Sequence, residues 1–257
     1  MPTVRGSGST LAYTIGPGTP TPAVKALLIA TIGIFVVQFA SGLVSAYPYS
    51  HPYNELIAWF GLTPAHVVTG LVWQPVTYLF LHAGVMHLIF NMLALWMFGV
   101  DLERRWGRTA FLKYYFVCGV GAGLTCLAVG LLPFADPTLR EMPTVGASGA
   151  IYGLLIAYAI LFPHRIIYYF IFPIPVRVYV LIAGLLVLYE SYRSGTGGGV
   201  AHFAHLGGLV IGYLYLSLGR GGPWAEIKYR YVKWRMNRLR RRFDVHEGGR
   251  RWDSRVH

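Results

Sequence analysis

The strongest constraint on this chain is a series of six apolar stretches, most of them long enough to cross a hydrocarbon layer of about 30 Å. They run from Val24 to Val44, Leu79 to Val100, Ala110 to Leu132, Ala147 to Phe162, Val178 to Tyr192 and Val200 to Leu218. Backbone groups inside such a layer must pair within the chain, which favours helices. Composition agrees: 55% of the 257 residues are hydrophobic and only 12% charged, about half the charged share of an ordinary soluble domain. The fold class is therefore an all-α polytopic membrane protein. Residues 1–22, rich in Gly, Thr and Pro, read as a flexible tail without a signal-peptide pattern. Residues 23–219 hold the spans, and 220–257 form a basic tail.

The positive charge follows the same layout. Of the net +12, +8 lies in residues 220–257, where twelve Lys/Arg face four acids. A basic tail after a last span marks the cytoplasmic side and can lie on anionic lipid headgroups, so the charge implies a membrane surface and no nucleic acid. Arg104, Arg105, Arg108 and Lys113 after the second span, and Arg165 and Arg177 after the fourth, fall on that same side. The opposite connections hold only Arg140 and Arg193. Both termini are thus expected in the cytoplasm, with spans two, four and six entering from outside. The connection Tyr47 to Thr77, with Pro48, Pro52, Pro64 and Pro75 and a possible amphipathic turn at Asn54 to Phe60, reads as a segment lying in the interface. Cys118 and Cys126 match no metal spacing and read as small core residues.

Three of the entering spans carry polar groups near their starts: His87 and Asn91 on the second, Ser148 on the fourth, His202 and His205 on the sixth. They should share one depth below the outer surface. The fourth span has about 16 apolar residues, roughly 24 Å of helix, so its start should be sunk. A lone membrane serine is more often structural than catalytic, bonding back to its own helix or gluing two helices together. Ser148 differs in its neighbours. Gly149 and Gly153 form a small-xxx-small face, as do Gly208 and Gly212, and close packing of the two would set the serine beside a histidine. A neutral imidazole there can accept the serine proton. Ionisable residues at membrane depth are costly, which favours a functional His205, with a helix-bridging hydrogen bond as the other reading. His202 shares its face. His87 and Asn91, spaced i, i+4, point the same way and offer the donors that stabilise an oxyanion, or else a helix-helix hydrogen bond. His82 sits in the approach to that helix.

The segments "HAGVMHLIFN" (His82 to Asn91), "GASGAIYG" (Gly146 to Gly153) and "AHLGGLVIG" (Ala204 to Gly212) together resemble the rhomboid intramembrane serine proteases, in this order and on alternate spans. The resemblance covers nearly everything after residue 24. It implies a six-transmembrane-helix bundle in which Ser148 is the nucleophile and His205 the general base, with no acidic third member. It further implies an oxyanion site of Asn91, His87 and the Ser148 backbone N–H, with Gly146 shaping the turn and Tyr152 packing on the catalytic imidazole. Glu103 and Arg105 match a structural Glu-x-Arg pattern. One departure is Trp73-Gln74, where the family often has Trp-Arg, and it bears on how the first outer connection is anchored.

Other chemistries fit less well. Paired membrane carboxylates are missing, since Asp101, Glu103 and Glu190 lie at span ends on opposite sides. "HFAH" lacks the glutamate of a zincin, and Ala150 breaks the Gly-x-Ser-x-Gly pattern. Two alternatives stay open: a zinc-dependent hydrolase using His82, His87, His202 and His205, and a silent relative that only holds membrane clients. The serine reading calls for no metal or cofactor. It expects a polar cavity lined by His82, His87, Asn91 and His202, single-span or polytopic membrane-protein substrates arriving between the second and fifth spans, and a prokaryotic plasma membrane as the location.

Overall fold

A computed structural model describes residues 17–44, 55–133, 135–169, 172–193, 200–219 and 231–238. Its main helices are α1 (Pro22–Val44), α5 (Val85–Trp106), α6 (Arg108–Gly130), α8 (Ser148–Leu161), α9 (Val176–Arg193) and α10 (Val200–Gly219). Short helices α2 (Glu55–Phe60), α3 (Pro64–Val68), α4 (Gln74–Thr77) and α7 (Pro137–Glu141) lie between them, with a two-stranded antiparallel hairpin, β1 (Ile166–Tyr169) and β2 (Phe172–Pro175). Three helices, over Pro22–Ser41, Val85–Trp106 and Arg108–Gly130, are long and apolar enough to cross a membrane, and three shorter apolar segments, Ser148–Leu161, Val176–Tyr189 and His202–Leu218, accompany them. The all-α membrane fold read from the sequence stands. Residues up to Leu214 form one compact unit, and those from Tyr215 a second.

The second span is displaced from its sequence-based position. The apolar run predicts a helix from Leu79 to Val100, whereas α5 begins at Val85 and continues through Arg104 and Arg105 to Trp106. Leu79 and Leu81 are apolar because they are fully buried in the bundle, in a 3₁₀ turn and an extended residue rather than in the span. Hydropathy alone does not separate these two reasons for being apolar. The Pro-containing connection after α8 holds the hairpin, with Ile166 opposite Pro175 and Ile167 opposite Ile174. Pro173 and Pro175 fall on a strand paired on one side only, where a missing N–H is tolerated.

Helix α8 is the centre of the unit. Its 14 residues amount to about 21 Å, and Ala150, Leu154 and Ala157 are fully buried among α5, α6 and α9. Around it the connections are tied by specific polar groups. Residues 17–21, placed by the sequence in a mobile tail, are pinned to the far end of α5. Arg104 donates to the Pro17 carbonyl at 2.6 Å, and Trp96 Nε1 to the Gly18 carbonyl at 2.9 Å. The buried Glu103 carboxylate accepts from the Thr21 hydroxyl and from the N–H groups of Ala23 and Val24, the latter at 2.9 Å. It thereby caps the start of α1, where free N–H groups and the helix dipole favour an anion. Glu103 thus ties the far end of α5 to the start of α1.

At the other end, Gln38 of α1 grips the backbone of His82 twice, Nε2 donating to its carbonyl at 2.7 Å and Oε1 accepting from its N–H at 3.1 Å. The Trp73-Gln74 departure resolves into an anchor of its own. Gln74 is fully buried; its Oε1 accepts from Thr63 N–H at 3.0 Å and its Nε2 donates to the Ala58 carbonyl at 3.1 Å. Trp73 Nε1 donates to the Trp59 carbonyl at 2.9 Å. An amide satisfies one donor and one acceptor here without bringing a charge into the interior. Residues Leu62 and Thr144 exchange both backbone hydrogen bonds, at 2.9 and 2.8 Å, so the anchored connection carries the segment leading into α8.

Candidate active site

Ser148 is the first residue of α8. The turn before it is held by Gly146 N–H donating to the Tyr78 carbonyl at 2.9 Å. Gly146 has φ +121°, a backbone state that side chains disfavour. A Cβ there would also stand 2.7 Å from His87 Cε1 and 2.9 Å from its Nε2. The glycine therefore permits the turn and seats the imidazole of α5 against the segment carrying the serine, which brings α5 and the start of α8 together.

Helix α10 completes the arrangement. Ser148 Oγ and His205 Nε2 are 2.7 Å apart, a short hydrogen bond. The Tyr152 ring stacks on the His205 imidazole, centroids 4.6 Å apart and planes at 21°. His202 approaches the same ring edge-on at 6.2 Å. The close helix approach rests on the glycines, though they divide the work differently from a simple pair of faces. A Cβ on Gly208 would lie 2.0 Å from the Gly149 carbonyl oxygen, and one on Gly212 would lie 3.0 Å from Gly153 Cα. These two seat α10 on α8. The missing side chains of Gly149 and Gly153 mainly admit α6, since their Cβ atoms would each lie 2.5 Å from Ala122 Cβ and Cys118 Cβ respectively. Tyr114 locks the junction by donating to the Gly153 carbonyl at 2.7 Å.

The remaining site residues are less uniformly arranged. His82 and His87 face one another edge-on at 5.0 Å, but His82 is fully buried and so stands behind the site instead of lining an open cavity. Asn91 is also buried, and its amide donates to the His87 carbonyl at 2.8 Å, bracing the turn that bears His87 and leaving a second amide hydrogen. Arg105 lies over the Phe162 ring at 5.7 Å, away from these groups. Among the described residues no three His, Cys, Asp or Glu side chains converge as a metal site would require. Gln38 has no motif to mark it, and Gln74 stands out only as the departure from Trp-Arg. Their signal was an isolated amide among apolar residues.

Chemically, the cluster offers a hydroxyl, a base in contact with it, and the unpaired N–H groups of a helix start beside them. Comparison with known proteins agrees with the motifs. The rhomboid family model, described as Rhomboid domain, matches residues 69–221. The chain is 29% identical over 201 residues to rhomboid protease AarA of Providencia stuartii, covering 73% of this chain and 69% of that protein. It is 27% identical over 217 residues to rhomboid protease GluP of Bacillus subtilis, 81% of this chain and 37% of that one. Against the yeast mitochondrial rhomboid protein 1 it is 34% identical over 140 residues, 53% of this chain and 38% of that protein. It therefore spans well under half the length of the latter two. With more than half of its length matched, the chain belongs to the rhomboid family.

Proposed function

We propose that this chain is an intramembrane serine endopeptidase that cuts membrane proteins in or beside a transmembrane helix. The observation carrying this reading is the 2.7 Å contact between Ser148 Oγ and His205 Nε2. In the proposed reaction the Ser148 hydroxyl attacks the scissile carbonyl as His205 Nε2 takes its proton. The tetrahedral oxyanion is held by the Ser148 N–H, His87 and the second N–H of Asn91. The protonated His205 then gives its proton to the leaving amine, and water, activated by the same imidazole, releases the acyl group. Tyr152, stacked on the imidazole, keeps its plane fixed. A helical substrate presents no free carbonyl, so it must unwind locally, which favours small or helix-weakening residues at the cut.

The reading extends to a plasma membrane with both termini cytoplasmic, to single-span or polytopic substrates, and to the basic tail resting on anionic lipid; the charge distribution supports it. The test is co-expression with a panel of single-span proteins, comparing the parent with Ser148→Ala and His205→Ala. Each substitution should abolish cleavage while leaving membrane insertion intact. Substantial cleavage by either variant would refute the dyad.

A further inference from the structure

At the end of the bundle opposite the site, positive charge is concentrated beyond what the nearby carboxylates balance. Helix α5 has 22 residues, about 33 Å, so this end lies at a membrane boundary if the site lies near the other. Two guanidiniums from different elements reach one ring: Arg165 Cζ is 5.3 Å and Arg105 Cζ 5.7 Å from the centroid of Phe162. They are thus within about 11 Å of each other. At this separation the repulsion between the two exposed guanidiniums is weak and screened, and an anion placed between them would be attracted by both.

The available acids do not provide enough. Asp101 is shared by Arg165 at 2.9 Å, Tyr158 at 2.9 Å and Arg104 at 3.8 Å. The Glu103 carboxylate is buried at the start of α1. Among the described residues Arg105 has no carboxylate within ion-pair distance, and the exposed Arg108 adds to the same end. The immediate flank is apolar: Ile166 at the head of the hairpin is 56% exposed and Val178 at the start of α9 is 44% exposed. The backbone joins them closely, since Val176 N–H donates to the Arg165 carbonyl at 2.9 Å.

We propose that this end holds one anionic phospholipid. Its phosphate bridges Arg105 and Arg165, and an acyl chain lies along Ile166 and Val178. Exposed apolar residues beside paired guanidiniums fit a lipid rather than a free anion, which would leave Ile166 and Val178 uncovered. Guanidinium forks match phosphate geometry. Occupancy would brace the hairpin and, through the Arg165–Val176 pair, the start of α9.

The experiment uses the full chain carrying Ser148→Ala, so it is independent of proteolysis. The protein in neutral detergent is titrated with phosphatidylglycerol or phosphatidylcholine, and retained lipid is counted by native mass spectrometry. One phosphatidylglycerol should be retained in preference to phosphatidylcholine. Arg105→Gln should weaken it about fivefold and Arg105→Gln with Arg165→Gln about 25-fold, at roughly fivefold per arginine contact. Arg105→Lys, which keeps the charge and loses the fork, should bind more weakly than the parent and more tightly than Arg105→Gln. Replacing Arg240, Arg241 and Arg242 in the basic tail by Gln should leave this lipid in place, and millimolar inorganic phosphate should not displace it. Equal retention of the two lipids, unchanged binding by the double variant or by Arg105→Gln with helical content preserved, loss on substituting the tail, or displacement by phosphate would each overturn the proposal.

Discussion

Gly208→Ala is a demanding test of how the site is assembled, because its effect can be worked from the backbone. The added Cβ would stand 2.0 Å from the Gly149 carbonyl oxygen, where ordinary contact begins at 3.4 Å. The atom in the way is main chain, so no rotamer change relieves the clash, and α10 must move from α8 by about 1.4 Å. Gly208 follows His205 by one helical turn, and Gly149 adjoins Ser148, so the displacement acts beside the dyad. Added to the 2.7 Å hydroxyl–imidazole distance, it gives about 4 Å, beyond hydrogen-bond range. Losing positioned general-base assistance costs about 10²-fold or more in rate, while overpacking of this kind costs about 1–3 kcal/mol of stability. The assay is cleavage of a single-span substrate in proteoliposomes, alongside thermal unfolding. Gly33→Ala, where the new Cβ meets nothing within 4 Å, serves as the control and should leave the rate unchanged. A folded Gly208→Ala protein with the parent's rate would refute the claim that this glycine contact sets the dyad distance.

Other perturbations probe separate parts of the account. Asn91→Ala should lower the cleavage rate about 10²-fold or more if its amide serves the oxyanion; a rate within a few fold of the parent would reduce Asn91 to a brace for His87. Tyr152→Phe, which keeps the ring over His205, should cleave within a few fold of the parent, whereas Tyr152→Leu should fall further, read as initial rates on the same substrate. Gln74→Leu should cost about 1–3 kcal/mol in unfolding measurements, because Thr63 N–H and the Ala58 carbonyl lose their partner in a buried place. Treatment with a chelator should leave cleavage unchanged, and loss restored by zinc would revive the metal alternative built on His82, His87, His202 and His205.

Much of the site was legible because its determinants are local. Gly146, Ser148 and Gly149 announce a turn, a hydroxyl and a close contact within four residues, and α8 begins within one residue of the expected position. The i, i+4 pair His87 and Asn91 needed only helix geometry to be placed on one face. What the sequence hid depends on partners far along the chain. The apolar character of Leu79 to Leu81 signals burial, and only the packed bundle shows that this burial is inside protein rather than across lipid. His82 reads as cavity lining until its fully buried position is known. The hairpin carried a β-rich signal in "IIYY", masked by Pro173 and Pro175 in the facing strand. Gln38 and Gln74 act through backbone groups 44 and 11 residues away, and no local pattern points to such targets. Glu103 was assigned a structural role without a partner, and the start of α1 supplies it.

The central claim is that Ser148 is a nucleophile activated by His205, and covalent trapping tests it most directly. The purified chain is treated with a fluorophosphonate probe, and the modified peptide is identified by mass spectrometry. The account predicts labelling at Ser148 in the parent, loss of labelling in Ser148→Ala, and labelling slowed at least about 10²-fold in His205→Ala. Labelling of Ser148 at the parent's rate in His205→Ala, or no labelling in a folded parent protein that cleaves substrate, would contradict it.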